Sequence, residues 1–258
     1  MVFDTHCHLD SERFDGDRQE IIEDMQARGV TPCVLVGCGI QSALACRDIA
    51  RGQSWLYFAA AVHPHDASGY DEDTEAALRA LMGEAKCVAW GEMGLDYYYD
   101  HSPREAQRAV FARQLDAAAE MGKPVILHVR DAHEDTLAML RARENRLPPG
   151  VVHCFGGDAA QARAYLDLGM YISLAGSVTF RKADALREAA RVIPADRLLV
   201  ETDSPYLAPE PVRGRRNDPR NVEHVARFVA ALREEPYEAL CDATRRNGMR
   251  LFSIPEGA

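Results

Sequence analysis

Residues 87–128 read CVAWGEMGLDYYYDHSPREAQRAVFARQLDAAAEMGKPVILH. An apolar run at 87–91 leads into a polar turn, a helix-period stretch at 103–121 and a second apolar run at 124–128. Two buried strands joined by a helix make a βαβ crossover, and such a crossover sets the strands parallel. The same alternation recurs on both sides. Apolar runs stand at VFDT (2–5), CVLVG (33–37), YFAAAV (57–62), CVAWG (87–91), PVILH (124–128), GVVHCF (150–155), MYISLA (170–175) and LLVET (198–202). Their starts fall 20 to 37 residues apart, close to the ~30 residues of one βαβ step. Helices are expected near 17–28, 41–51, 72–83, 103–121, 133–146, 158–168, 181–192, 219–234 and 236–250. Ser102 before Pro103, Asp158 ahead of AAQARAYL and Asp218 ahead of Pro219 serve as start signals. Eight strands alternating with helices predict an α/β chain folded as a single (β/α)8 barrel of the TIM type over residues 1–258. An open doubly wound sheet fits less well, because no strand is followed by the phosphate-binding G-x-G-x-x-G.

Composition narrows the class. The 258 residues are 47% hydrophobic and 27% charged, which excludes disordered and fibrous chains. A net charge of −10 argues against a protein that coats nucleic acid through bulk positive charge. The acid excess sits in the first hundred residues, and the remainder is nearly balanced. No signal-peptide core stands near the N-terminus, and the longest apolar run, WLYFAAAV at 55–62, falls far short of the ~20 residues of a membrane helix. A cytoplasmic location, with no membrane and no obligate protein partner, is the expectation. Seven cysteines with no C-x-x-C pair read as reduced, buried thiols.

Chemistry concentrates at the strand ends. Six of nine histidines, His6, His8, His63, His65, His128 and His153, lie at or within three residues of the C-terminal end of an expected strand. In a barrel those ends form one rim, where catalytic groups converge. Glu92 and Asp203 join them. His6 and His8 alternate on one strand face, so both can enter the barrel while Cys7 points toward the helices. Glu92 is placed to bridge two cations, and Glu201 is a possible partner behind the ligands. Lys86, the only lysine near that strand, precedes it and falls at the opposite rim. Four imidazoles and two carboxylates suit two divalent ions: His6, His8 and Asp203 on one, His128 and His153 on the other, Glu92 shared. Mg²⁺, Mn²⁺ or Zn²⁺ all fit this mixed N/O set. A metal pair lowers the pKa of a bridging water and clamps attacking and leaving oxygens, so hydrolysis is the expected reaction. Asp203 would orient the nucleophile and take its proton. His63 would hold a phosphate or protonate a leaving group, with His65 behind it. His101, His133 and His224 read as surface residues.

With these residues in view, the chain resembles the TatD family of metal-dependent hydrolases, described as deoxyribonucleases. The matching pieces are DTHCHLD (4–10), AVHPHD (61–66), GEMGLDYYYD (91–100), PVILHVRDA (124–132), HCFGG (153–157), YISLAGSVTF (171–180), ETDSPYLAP (201–209) and RGRRNDP (213–219). Carried over position by position, the family's ligands match His6, His8, Glu92, His128, His153 and Asp203. The resemblance implies a TIM-type barrel and metal-dependent cleavage of DNA phosphodiesters, as a 3′→5′ exonuclease on single-stranded ends.

Substrate groups are then sought near the same rim. Arg213, Arg215, Arg216 and Arg220 follow the eighth strand, and Arg130 lies two residues past His128; each can pair with phosphate. One of the tyrosines 97–99, with Tyr97 the first candidate, would stack on an unpaired base. Two other readings compete. One is amidohydrolase-like cleavage of a small amide or ester, including a D-aminoacyl-tRNA ester; the other is a metal-stabilised binding protein without turnover. The missing bridging lysine and the arginine-rich loop count against the first, and the intact ligand set against the second.

Overall fold

A computed structural model of the chain describes residues 1–255; residues 256–258, the end of the expected 1–258 domain, lie outside the described residues. Among the described residues the sheet has eight strands: β1 (Val2–Cys7), β2 (Val30–Gly37), β3 (Leu56–Ala60), β4 (Cys87–Asp96), β5 (Val125–Arg130), β6 (Gly150–Val152), β7 (Tyr171–Leu174) and β8 (Leu198–Val200). Each pairs in parallel with the next, in chain order. The intervening helices are α1 (Arg18–Arg28), α2 (Ile40–Arg51), α3 (Glu72–Met82), α4 (Arg104–Glu120), α5 (His133–Arg141), α6 (Ala159–Asp167) and α7 (Asp184–Val192), and α8 (Val222–Leu232) and α9 (Tyr237–Leu251) follow β8.

The barrel closes just past the end of β8. His8 N donates to Ser204 O at 2.8 Å and Asp203 N donates to His6 O at 2.9 Å. Below them, Thr5 Oγ1 donates to Val200 O at 3.0 Å, and the Asp4 carboxyl group bonds Thr202 N at 2.9 Å and Thr202 Oγ1 at 2.6 Å. These contacts nearly close the barrel and gather the strand ends on one rim. Strand side chains alternate between two apolar clusters. Cys33, Leu35, Phe58, Trp90 and Leu127 pack with helical residues such as Ile21, Leu78, Leu115 and Val225. Val34, Val36, Ala59, Ala89, Ile126 and Leu199 instead meet Phe252 and Ile254 from the C-terminal segment, filling the barrel from below. Cys7 belongs to the helix-facing cluster, as its alternation with His6 and His8 predicts.

Several elements differ from the sequence reading. Strand β4 does not stop at Gly91 but runs on to Asp96, so Glu92 is a strand residue. Gly94 permits this: its φ is 149°, and a Cβ there would collide with the His128 carbonyl oxygen on β5. Ser102 does not cap α4. Its hydroxyl donates to His65 O at 2.7 Å and accepts Ser68 N at 3.1 Å, and Pro103 takes the cap position. Asp158 does cap α6, through a reciprocal pair with Gln161. The expected helices at 133–146 and 219–234 are each divided into an α-helix and a short 3₁₀ turn.

Asp4 is fully buried, and that burial pushes its carboxyl well above the usual carboxylate range against the hydrogen bonds from Thr202. A neutral side chain of the same shape should therefore serve the seam. Asp4→Ala is expected to destabilise the fold by about 3 kcal/mol, because it strands buried donors of Thr202. Asp4→Asn should stay within about 1 kcal/mol of wild type. Urea unfolding checks this, and equal losses in the two variants would show that the seam needs an ionised carboxylate.

Candidate metal centre

A cavity of about 1270 Å³ opens at the C-terminal rim, with His8, Glu92, His128, His153 and Asp203 in its wall. Six strand ends deliver the donors. His6 lies in β1 and His8 just past it, Glu92 in β4, His128 in β5, His153 directly after β6 and Asp203 beyond β8. His63 follows β3. Asp203 adopts a positive φ of 54°, held by its backbone bond to His6 O, a conformation that Asp tolerates better than most side chains.

Two donor groups meet at Glu92. On one side, His6 Nε2 and His8 Nε2 stand 3.2 Å apart, each 3.4–3.9 Å from Glu92 Oε2 and Asp203 Oδ1. Ligands at ~2.0–2.2 Å from one tetrahedral ion stand about 3.3–3.6 Å from each other, so this spacing fits a shared cation. On the other side, Glu92 Oε1 lies 2.6 Å from His128 Nδ1, 2.7 Å from His153 Nε2 and 3.5 Å from His63 Nε2. The two oxygens of one carboxylate thus face two separate sets of imidazoles.

Behind the ring nitrogens stand acceptors that fix their orientation. His8 Nδ1 faces Val36 O at 2.9 Å, His128 Nε2 faces Asp96 Oδ2 at 3.1 Å and His153 Nδ1 faces Glu201 Oε1 at 3.2 Å. Hydrogens directed outward leave lone pairs directed inward, the arrangement that metal-binding imidazoles use. Cys38 Sγ lies 3.6 Å from Glu92 Oε2 and 3.8 Å from His8 Nδ1, beside the first donor group, and burial pushes its thiol up to about 11. The first group fits a divalent cation on chemistry and spacing alike; in the second, His128 Nδ1 and His153 Nε2 stand at hydrogen-bond distance from Glu92 Oε1, closer than two ligands of one ion.

Comparison with known proteins agrees with this geometry. The family model described as TatD related DNase matches residues 3–253. The chain belongs to the TatD family of metal-dependent hydrolases. It is 44% identical to the metal-dependent hydrolase YcfH of Escherichia coli, over 98% of this chain and 96% of that one. It is 40% identical to the protein of Cronobacter sakazakii named 3′-5′ ssDNA/RNA exonuclease TatD, over 97% of both. The crystal structure of the Escherichia coli TatD homologue YJJV superposes with a TM-score of 0.92 at 30% identity, covering 98% of each chain.

Outside the ligand set, this TatD barrel arranges its side chains differently from the sequence expectation. Tyr97 does not line the cavity: its hydroxyl donates to Asp135 Oδ2 at 2.6 Å and its ring lies under Arg104. The wall position expected of it is taken by Tyr99, beside His101. Arg213, Arg215 and Arg216 also stay off the cavity wall. Arg216 is paired with Asp17, at 2.9 and 2.5 Å, and Arg213 stacks on Phe180. Arg220 is held by Asp218 and Asp24, and Arg215 is exposed. Arg130 does line the cavity, its guanidinium 4.2 Å from the Tyr98 ring and 4.7 Å from the Tyr99 ring, and no carboxylate among the described residues pairs with it. His63 Nδ1 accepts His65 N at 3.2 Å, and His65 Nε2 faces Asp96 Oδ2 at 2.8 Å. Lys86 bonds the carbonyls of Ala50, Gln53 and Leu56 and does not line the cavity.

Sequence reasoning missed Asp96, Cys38 and the cavity-lining His101 and His133. For Asp96 a signal existed. Continuing β4 at period two from Glu92 through Gly94 puts Asp96 on the same face.

Electrostatics follow from the shared burial. Although burial favours the neutral form, the imidazoles of His153, His63 and His128 hold Glu92 well below the usual carboxylate range. Burial opposes the imidazolium of His153 too, yet Glu92 and Glu201 raise it well above the ordinary value. His128 is raised against burial by Asp96 and Glu92, whereas burial pushes His63 down to about 4. A cation must displace protons from His128 and His153 before taking their lone pairs. Divalent-ion affinity is therefore expected to fall on acidification and to keep climbing with pH beyond the ordinary imidazole value of ~6.5. Calorimetric titrations with Zn²⁺ across a pH series check this. An affinity independent of pH would show that neither ring surrenders a proton to the ion.

Proposed function

We propose that this chain is a divalent-metal-dependent phosphodiesterase acting on single-stranded DNA ends as a 3′→5′ exonuclease. The observation that carries it is the Glu92 carboxylate, whose Oε2 faces His6 and His8 while its Oε1 faces His128 and His153. In this reading His6, His8 and Asp203 would hold one cation, His128 and His153 the other, and Glu92 would be shared between them. Divalent cations bound there would lower the pKa of a water and stabilise the charge that develops in a displacement at phosphorus.

The chain's own residues supply the remaining work. The Asp203 carboxylate accepts the proton of the attacking water. Its φ of 54° and its bond to His6 O aim the carboxylate at the same point as His8 Nε2. Arg130 supplies the phosphate contact expected of Arg213, Arg215 and Arg216, because its guanidinium stands in the cavity wall against two adjoining tyrosine rings. His63 Nε2 reaches toward the shared Glu92 oxygen from the substrate side, and His65 and Tyr99 extend that wall. Tyr98 and Tyr99 are 59% and 49% exposed, an arrangement suited to stacking on an unpaired base and costly without one. The Cronobacter sakazakii relative, named a 3′-5′ ssDNA/RNA exonuclease, supports the substrate and polarity. Lys86, remote from the cavity, removes the carboxylated-lysine bridge that an amidohydrolase reading would need.

The test is a metal-loaded enzyme with end-labelled single-stranded DNA, duplex DNA and RNA. Cleavage should proceed from the 3′ end of single strands and stop with chelator. Glu92→Ala should reduce it to background while circular dichroism stays unchanged; full activity in that variant would sink the assignment. Arg130→Ala should raise KM about tenfold, or about 1.4 kcal/mol, through the lost phosphate contact. Arg216→Ala, by contrast, should leave KM unchanged and cost at most about 1 kcal/mol of stability, because its half-buried partner is Asp17. Steady-state kinetics beside thermal unfolding separate the two arginines.

A further inference from the structure

The carboxylate of Asp96 is fully buried and receives four hydrogen bonds. Oδ1 accepts the backbone amides of Tyr98 at 3.0 Å and Tyr99 at 2.9 Å. Oδ2 meets His65 Nε2 at 2.8 Å and His128 Nε2 at 3.1 Å. The residue is fixed from behind as well, since Gln107 Oε1 accepts Asp96 N at 2.8 Å and Gln107 Nε2 donates to Asp96 O at 3.1 Å. A carboxylate offers about four lone-pair sites and no hydrogen, so every group facing it must be a donor.

We propose that Asp96 is a positioning residue that sets the ring orientation of His65 and His128 together and ties both to the turn carrying Tyr98 and Tyr99. Both imidazoles must carry hydrogen on Nε2. For His128 this directs the Nδ1 lone pair at the Glu92 side, where the second cation is held in the reading above, on which this part of the inference rests. For His65, Nε2 is committed to Asp96, which leaves Nδ1 as the ring nitrogen to act from the cavity wall. The same carboxylate fixes the backbone of the two tyrosines whose adjoining rings lie against the Arg130 guanidinium. One buried group thereby joins a ligand imidazole, a wall imidazole and the phosphate clamp.

Asp96→Asn makes a sharp test because an amide has one acceptor and one donor end. The two tyrosine amides require the oxygen, so the NH₂ end turns toward His65 and His128. Each ring must then accept at Nε2 and move its hydrogen to Nδ1. In Zn²⁺-loaded wild type, long-range ¹H–¹⁵N spectra should show exchange-protected hydrogens on Nε2 of both rings. In Asp96→Asn both signals should vanish, and Zn²⁺ affinity, read by chelator competition, should weaken about 10- to 100-fold. His65→Gln should keep the wild-type Zn²⁺ affinity, since it removes only the second donor. If the asparagine chain does not fold, the wild-type spectrum still decides: an unprotected or Nδ1-bound hydrogen on either ring overturns the proposal. So does wild-type Zn²⁺ affinity in a folded Asp96→Asn protein. None of these readouts depends on DNA cleavage, so an absence of nuclease activity would overturn the functional reading and leave Asp96 to be judged separately.

Discussion

The carboxylate of Glu92 is 3% exposed and faces ring nitrogens from five histidines. Burying an anion so completely is costly unless opposite charge or strong donors surround it. Here the compensation comes from the ends of β1, β3, β5 and β6, so the group is tolerable only when the whole rim has assembled. That requirement couples the site to the closure of the barrel. The seam that returns β8 to β1 runs through His6 O, His8 N and Asp203 N, the backbone atoms of three site residues. Closing the sheet and placing these side chains are therefore coupled.

A ring of acceptors stands outside the imidazoles and gives the centre its rigidity. Val36 O meets a ring nitrogen of His8, Glu201 one of His153, and Asp96 one each of His65 and His128. Without them, each ring could rotate or change tautomer at small cost, and donor spacing of the kind seen around Glu92 would be lost. Glu201 also accepts Cys154 N at 2.7 Å, which anchors the chain after β6. Two buried atoms, His6 Nδ1 and Glu201 Oε2, have no protein partner among the described residues. They lie on neighbouring residues in the same cluster, a polar spot of the kind that a buried water satisfies.

Charge explains how an acidic chain can present a site for an anion. With a net charge of −10 the protein cannot hold a long polyanion by bulk attraction. Its arginines are mostly neutralised one by one: Arg216 by Asp17, Arg220 by Asp218 and Asp24, Arg143 by Asp116, Arg104 by Asp100. Arg130 is the exception at the cavity, held by tyrosine rings that orient the guanidinium without cancelling it.

The barrel, its strand order and the six convergent donors could be read from the sequence because they obey short periods. Alternation at two and recurrence of a βαβ step need only neighbouring residues, and a histidine ending an apolar run carries its own address on the rim. The same logic failed where a local irregularity broke the period. Gly94, with its positive φ, let β4 continue past the glycine that seemed to end it, and so concealed Asp96. Partnership of charged side chains was beyond reach altogether. Arg216 meets Asp17 and Arg220 meets Asp24 across nearly two hundred residues, and only closure of the sheet brings α1 beside the loop after β8. Sequence determined which chemistry could gather at the rim. Tertiary structure decided which arginine stays free, which tyrosine faces the cavity and which carboxylate orients the ligands, because those outcomes depend on contacts between segments that share no local pattern.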